Sequence, residues 1–142
     1  MFMTFTETEA RYLLDRALGR LATIGPTGAP QNHPVALWVN EDTGTIDIGG
    51  PNLGTSQKYR NIQADPRISL VVDDVAAQPV GPGGQRGRGL EIRGVIEVLR
   101  VEQPLMDGFT DEVLRLHPRR IVAWNIDTPG SNNRNVTLSD RA

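Results

Sequence analysis

Gly89-Leu90-Glu91-Ile92-Arg93-Gly94-Val95-Ile96-Glu97-Val98-Leu99 sets the fold class. Leu90, Ile92, Gly94, Ile96 and Val98 alternate with Glu91, Arg93 and Glu97, the period of two that a strand shows when one face is buried and the other wet. A helical period would carry these charges onto every side of the element. Just upstream, Arg67 to Asp73 repeats the pattern with Ile68, Leu70 and Val72 on one side. The two strands are joined by Asp74 to Arg88, and within Gln78 to Gly89 seven of twelve residues are Gly or Pro. A connection of that length in a compact domain is either functional or a disordered surface loop.

Further upstream the chain reads as hairpins flanked by helices. Thr6 caps a helix, with Glu7 and Glu9 near its positive end and Ala10, Leu13, Leu14, Ala17 and Leu18 on one face. Gly19 stops it. Arg20 to Ile24 is a strand, Gly25-Pro26-Thr27-Gly28 a turn, and Pro30 to about Val39 a second strand. His33, Val35, Leu37 and Val39 share one face of it. Pro34 removes a ladder donor, which places it at a sheet edge or a bulge. Thr45 to Gly49 alternates as a short strand. Gly50-Pro51-Asn52-Leu53-Gly54 breaks it, and Thr55 or Ser56 caps a short helix ending near Ala64, before Pro66.

Downstream, Leu105, Phe109 and Val113 lie four apart, a spacing that predicts a helix ending near His117-Pro118. Arg119 to Asp127 reads as the last strand, and the polar stretch from Thr128 to Ala142 as a C-terminal tail. Sequential hairpins with helices at the start and between predict an α+β domain, residues 1–142. Its sheet is mostly antiparallel and closed into a small barrel with peripheral helices.

Composition narrows the function. The 142 residues are 38% hydrophobic and 23% charged, so one core forms and disorder is not expected. A net charge of -2 argues against a nucleic-acid binder. With no cysteine there is no disulfide, thiol catalysis or Cys-ligated zinc. No apolar run reaches the ~18 residues of a membrane span, and the N-terminus has no signal-peptide pattern. The expectation is a cytoplasmic protein with no membrane or nucleic-acid partner.

Hydrolytic motifs are absent: there is no G-x-S-x-G and no H-E-x-x-H, and His33 and His117 are far apart in sequence. Glycines 81, 83, 84, 87 and 89 do not form G-x-G-x-x-G. The strongest local signal is Gly49 to Lys58, GGPNLGTSQK, which runs strand, Gly-rich loop, capped helix. A helix N-terminus with open N–H groups suits a phosphate. Thr55 and Ser56 add hydroxyls, Lys58 an exposed cation in the first turn, and Arg60 another nearby. Thr55 stands where a Walker A loop needs lysine, so a P-loop nucleotidase is rejected. Arg86 and Arg88 are candidates for an anionic group, and Trp124 for core packing or a ligand contact.

Taken together, Lys58-Tyr59-Arg60-Asn61-Ile62, Asp65-Pro66-Arg67 and Arg88-Gly89-Leu90-Glu91-Ile92-Arg93-Gly94 make the chain resemble the flavin and deazaflavin oxidoreductase superfamily. That superfamily includes pyridoxamine 5'-phosphate oxidase-like split β-barrels. The Arg88–Gly94 run resembles the branch that uses the deazaflavin coenzyme F420. The resemblance implies a split β-barrel and a homodimer with cofactor sites at the subunit interface. It also implies hydride transfer between F420, or alternatively FMN, and a small organic substrate. Lys58 and Thr55–Ser56 would hold the cofactor phosphate. Gln31, His33 and Val35 would lie along the ring system, and Ile48, Gly49 and Gly50 beneath the stem. Trp124 and the tail would approach from the partner chain. Arg60, Arg86 and Arg88 would meet the anionic tail of F420, with the 74–88 loop closing over it. Ala36-Leu37-Trp38 departs from the family's aromatic-rich stretch. A reading of another class, a non-catalytic carrier of a flavin or haem, stands beside these.

Overall fold

In the computed structural model, residues 4–137 are described. Thr6 caps α1 (Glu7–Leu14) through a reciprocal pair: its Oγ1 accepts from the Glu9 N–H at 3.1 Å, and Glu9 Oε1 accepts from the Thr6 N–H at 3.0 Å. The helix buries Ala10, Tyr12 and Leu13 against the barrel. It stops earlier than its sequence period predicts. Arg16 and Ala17 lead into β1 (Leu18–Ile24), and Leu14 and Leu18 are 55% and 62% exposed rather than core-facing.

Hairpins then follow in order: β2 (Pro30–Asn40), β3 (Thr45–Gly49), α2 (Gln57–Ala64), β4 (Arg67–Val75) and β5 (Gly87–Arg100). β6 (Glu112–Trp124) and β7 (Ser131–Asn135) complete the sheet, whose order is β3-β2-β1-β4-β5-β6-β7, all neighbours antiparallel. An added β3–β6 pairing closes six strands into a barrel. At that seam Arg115 on β6 donates twice to the Asp47 carboxylate on β3, at 2.9 and 3.0 Å. Leu21, Leu37, Ile48, Leu70, Ile92 and Leu116 fill the interior. Pro34 lies in the part of β2 that pairs β1 alone, since β3 joins only from Ala36 onward. This is the edge position its missing donor requires.

Three expectations change. The helix predicted across Leu105, Phe109 and Val113 is absent. Residues 101–111 form an irregular strap, and Val113 already belongs to β6. Pro104 and Gly108, the latter at φ 87°, interrupt any helix there, and the four-residue spacing instead delivers Leu105 and Phe109 onto Gly49. The polar tail contains a strand: Ser131 to Asn135 pair Trp124 to Arg120 of β6. Its side chains are mostly exposed, so backbone pairing rather than an apolar face holds it. The remaining tail residues, 138–142, lie outside those described. The 74–88 connection is strand only at its ends, where Asp74 pairs Arg88 and Val75 pairs Gly87. The tip, 76–86, is tied by Ala76 N–H to the Arg86 carbonyl and Val80 N–H to the Gln85 carbonyl, both 2.8 Å.

Candidate functional site

The chain leaving β3 makes a 3-10 turn, Leu53–Thr55, before entering α2. Leu53 is 1% exposed and pins the turn to the core. Ser56 caps α2. Its Oγ donates to the Leu53 carbonyl at 2.6 Å and accepts from the Tyr59 N–H at 3.3 Å, so this hydroxyl is already committed to the cap. The N–H groups of Gln57 and Lys58 have no partner among the described residues, as the first turn of a helix dictates. Asn61 fixes the helix sideways. It is 3% exposed, and its Nδ2 donates to Gln31 Oε1 at 2.8 Å and to Thr23 Oγ1 at 3.0 Å.

This docking sets the start of α2 against the β2 edge and opens a cleft of ≈ 340 Å³ lined by Gln31, Asn32, His33, Ser56, Gln57 and Lys58. Four residues singled out in the sequence, Gln31, His33, Ser56 and Lys58, thus meet in one place. Lys58 differs from the exposed residue its sequence position predicted. It is half-buried and, among the described residues, has no hydrogen-bond or ion-pair partner, and burial alone pulls its ammonium below the usual lysine range. A half-desolvated cation beside two open N–H groups is suited to an anion that would replace the lost water.

Arg60 lies beside this cleft but is engaged elsewhere. It donates to the Thr55 carbonyl at 2.9 Å and to Gln57 Oε1 at 2.8 Å. Thr55 is exposed and donates to the Asn52 carbonyl. Val35 and Ile48 point into the core, at 4% and 0% exposure. Gly49 lies under Leu105 and Phe109, and Gly50 offers its carbonyl to the Thr110 N–H at 3.0 Å. Phe109 also stacks edge-on against Trp38, ring centroids 5.8 Å apart.

Arg86, Arg88 and Trp124 do not join this cleft within the subunit. Trp124 pairs Gly89 of β5, which pairs Asp73 of β4, whereas the cleft's Gln31, Asn32 and His33 lie on β2, with β1 and β4 between β2 and β5 in the sheet. Arg86 is exposed at the hairpin tip. Arg88 is committed to Asp74, with Nε and Nη2 at 2.8 and 3.1 Å from its oxygens. Tyr12 donates to the same carboxylate at 2.7 Å, and Arg16 adds a contact at 3.1 Å. Both guanidinium groups lie over the Tyr12 ring, 4.3 and 5.2 Å from its centroid.

The Arg88 hydrogen bonds hold the Asp74 carboxyl at about 2, and burial with the Asp74 contact pushes the Tyr12 phenol up to about 12. A carboxyl depressed on folding stabilises fully above its unfolded pKa near 4 and progressively less as pH falls toward 2. Asp74→Asn is therefore expected to flatten the acid limb of stability between about pH 4 and 2, by about 1 kcal/mol after solvent screening. Urea midpoints across that range check it. An unchanged limb would show that Asp74 is not held by Arg88 in solution.

Sequence reading did not mark Asn61, Asn32 or Gln57 as site residues, although Asn61 stands in the Lys58–Ile62 run that carries the family resemblance and Asn32 beside two candidates on β2. Thr110 and Glu112 gave no signal, and Phe109 was read only as one apolar position of a helix, because the strap was taken for helix.

A six-stranded antiparallel barrel with an anion-suited cleft at a strand–helix junction defines a class of cofactor-binding barrel. The chain belongs to the pyridoxamine 5'-phosphate oxidase family, whose model matches residues 5–136. This is a family of flavin-type cofactor binders, and the chain is an enzyme of the oxidoreductase kind. It is similar, at 38% identity over 97% of both chains, to the 5a,11a-dehydrotetracycline/5a,11a-dehydrooxytetracycline reductase of Streptomyces rimosus. Among solved structures it resembles an F420 reductase at 25% identity, with TM-score 0.56, covering 77% of this chain and 92% of that one. A conserved hypothetical protein of Mycobacterium tuberculosis is also 25% identical, with TM-score 0.64 and 84% of each chain covered. No helix among the described residues is long and apolar enough to cross a membrane.

Proposed function

We propose that this protein is an F420-dependent reductase, acting by hydride transfer between the reduced deazaflavin and a small organic substrate. The observation that carries it is Lys58, half-buried and without a partner beside the open N–H groups of α2. The similarity to an F420 reductase and to a dehydrotetracycline reductase supports the choice of cofactor and reaction class, and makes dehydrotetracyclines the first substrates to assay. The donor set fits a ribityl phosphate: one cation, two N–H groups and the amides of Gln31, Asn32 and Gln57. When bound, the cofactor supplies the hydride, and the protein's share is binding, orientation and exclusion of water. Lys58 would hold the phosphate, while Asn61 keeps α2 and Gln31 in register.

Lys58→Ala is expected to weaken F420 binding about 10- to 100-fold, the loss of one charge-assisted contact worth roughly 1.5–3 kcal/mol. Its stability should change little, because the unpaired, partly desolvated charge contributes nothing favourable to folding. The lowered ammonium pKa also makes binding fade at a lower pH than an ordinary lysine would allow. Fluorescence titrations with F420 and with FMN test the reading directly. Tighter F420 binding supports it. Tighter FMN binding would transfer the same site to a flavin enzyme, and ligand binding without turnover would make the protein a carrier.

A homodimer follows from the same reading. Arg86, Arg88 and Trp124 do not line the Lys58 cleft of their own subunit, so they would reach a cofactor there from a partner subunit. The outer face of β1, β4 and β5 carries an open groove of ≈ 540 Å³, lined by Ala22, Ile24, Pro30, Ile68 and Val95 among others, on which a second copy would sit. Light scattering at micromolar concentration is expected to give twice the chain mass. A monomer that still binds cofactor would overturn an interfacial site.

A further inference from the structure

The loop from β3 to α2 is gripped along its length by the segment that follows β5. Leu105 and Phe109 occupy the space a Gly49 side chain would take, with Leu105 Cδ1 and Phe109 Cδ2 only 3.1 and 3.0 Å from an added Cβ. Thr110 donates its N–H to the Gly50 carbonyl at 3.0 Å, and its hydroxyl oxygen lies 3.3 Å from the same carbonyl. Two residues on, the Glu112 carboxylate lies against Gly54 so closely that any Cβ there would overlap its Oε2. Gly54 is the middle residue of the 3-10 turn that hands the chain to Ser56 and Lys58.

Glu112 is an unusual choice for the first residue of a barrel strand. Its side chain is 13% exposed, and Oε1 is buried without a partner at full hydrogen-bond geometry. Its nearest cation, Arg100, is 3.7 Å from Oε2 and is itself engaged with Asp111 at 2.9 Å. A carboxylate in such a place is costly unless backbone donors face it. The Thr110 hydroxyl, and then the Glu112 backbone, the Arg100 charge and the Gly54 backbone, hold its carboxyl below the usual range despite burial. Glu112 does not line the Lys58 cleft.

We propose that Glu112 is a positioning residue for the anion-binding cleft: by holding Gly54 it fixes the turn that aims the first N–H groups of α2 and Lys58 at the bound phosphate. This rests on the cleft being the phosphate site. The carboxylate occupies the space that a side chain at position 54 would take. Positioning of this kind acts on one end of a ligand and leaves contacts elsewhere intact.

The test compares ligands with and without the phosphate: F420 against its phosphate-free, tail-free deazaflavin riboside, with FMN against riboflavin alongside. Glu112→Ala is expected to lower affinity for the phosphate-bearing member about tenfold and for the riboside less than about twofold. Glu112→Gln, which keeps the side chain's size and an oxygen packed against Gly54, should restore the ratio to within about threefold. Lys58→Ala serves as reference. If Lys58→Ala shifts the ratio while Glu112→Ala lowers both ligands alike, or neither, Glu112 is merely structural and the inference falls. Failure of Glu112→Gln to restore the ratio also counts against it. If Lys58→Ala leaves the ratio unchanged, or wild-type protein binds neither pair, the phosphate cleft itself is wrong and this inference falls with it.

Discussion

Arg134→Ala is expected to cost about 3–5 kcal/mol, a large share of the roughly 5–15 kcal/mol that holds a domain of this size together. Arg134 stands on β7, and its guanidinium meets the Glu9 carboxylate of α1 with Nη1 at 2.9 Å and Nη2 at 2.6 Å; Nη2 also donates to the Thr4 carbonyl at 2.7 Å. Glu9 is 0% exposed. Truncating the arginine leaves a buried carboxylate with the Thr6 N–H and little else, and it is this unpaired charge that is costly. The same carboxylate forms the α1 cap, so the N-terminal helix and the last strand should loosen together. Arg11→Ala is the control. Its pair with Glu7 is exposed on both sides and should be worth under about 0.5 kcal/mol. Urea unfolding of the two variants measures the difference. A loss below about 1 kcal/mol for Arg134→Ala would mean that water or another donor reaches the Glu9 carboxylate instead.

Much of the barrel was legible because two kinds of signal coincide. β3 was read at its full length, Thr45–Gly49, since alternation is strict and turn residues flank it on both sides. α2 was placed within a residue because Ser56 caps it and Asp65-Pro66 stops it. The strap failed for the opposite reason. Leu105, Phe109 and Val113 are apolar at helical spacing, but Leu105 and Phe109 cover Gly49 and Val113 enters a strand, and local spacing cannot tell these apart. β7 was missed because it has no buried stripe; its pairing partner, β6, supplies what its own sequence does not. The site was legible where it depends on local chemistry, the cap and its neighbouring cation. It was not legible where it depends on long-range placement. Arg88 reads as a free cation in sequence, and only the barrel brings Asp74, Tyr12 and Arg16 around it.

Gly94→Ala is expected to destabilise the protein by about 3 kcal/mol or more, at or above the upper end of ordinary overpacking. Read from the sequence alone, Gly94 is one more inward position in an alternating strand. In the barrel it sits where β5 and β6 lose register, with Arg93 facing Arg120 but Gly94 facing Pro118, so that Arg119 is the extra residue of a bulge. The bulge drives the His117 carbonyl onto the Cα of Gly94. An added Cβ would overlap that oxygen and come within 3.0 Å of the His117 carbonyl carbon and 3.2 Å of Pro118 Cα. Every one of these atoms is backbone, so no rotamer change relieves the contact. The strands must separate or the bulge must flatten, and Pro118 already limits what that segment can adopt. Gly87→Ala, on the same strand, has nothing within 4 Å of its added Cβ and should be neutral or stabilising by up to about 1 kcal/mol. Thermal melts of the pair decide the matter. Melting points within a few degrees of each other would show that the β5–β6 seam yields freely, and that the glycine in this strand answers to something other than the His117 carbonyl.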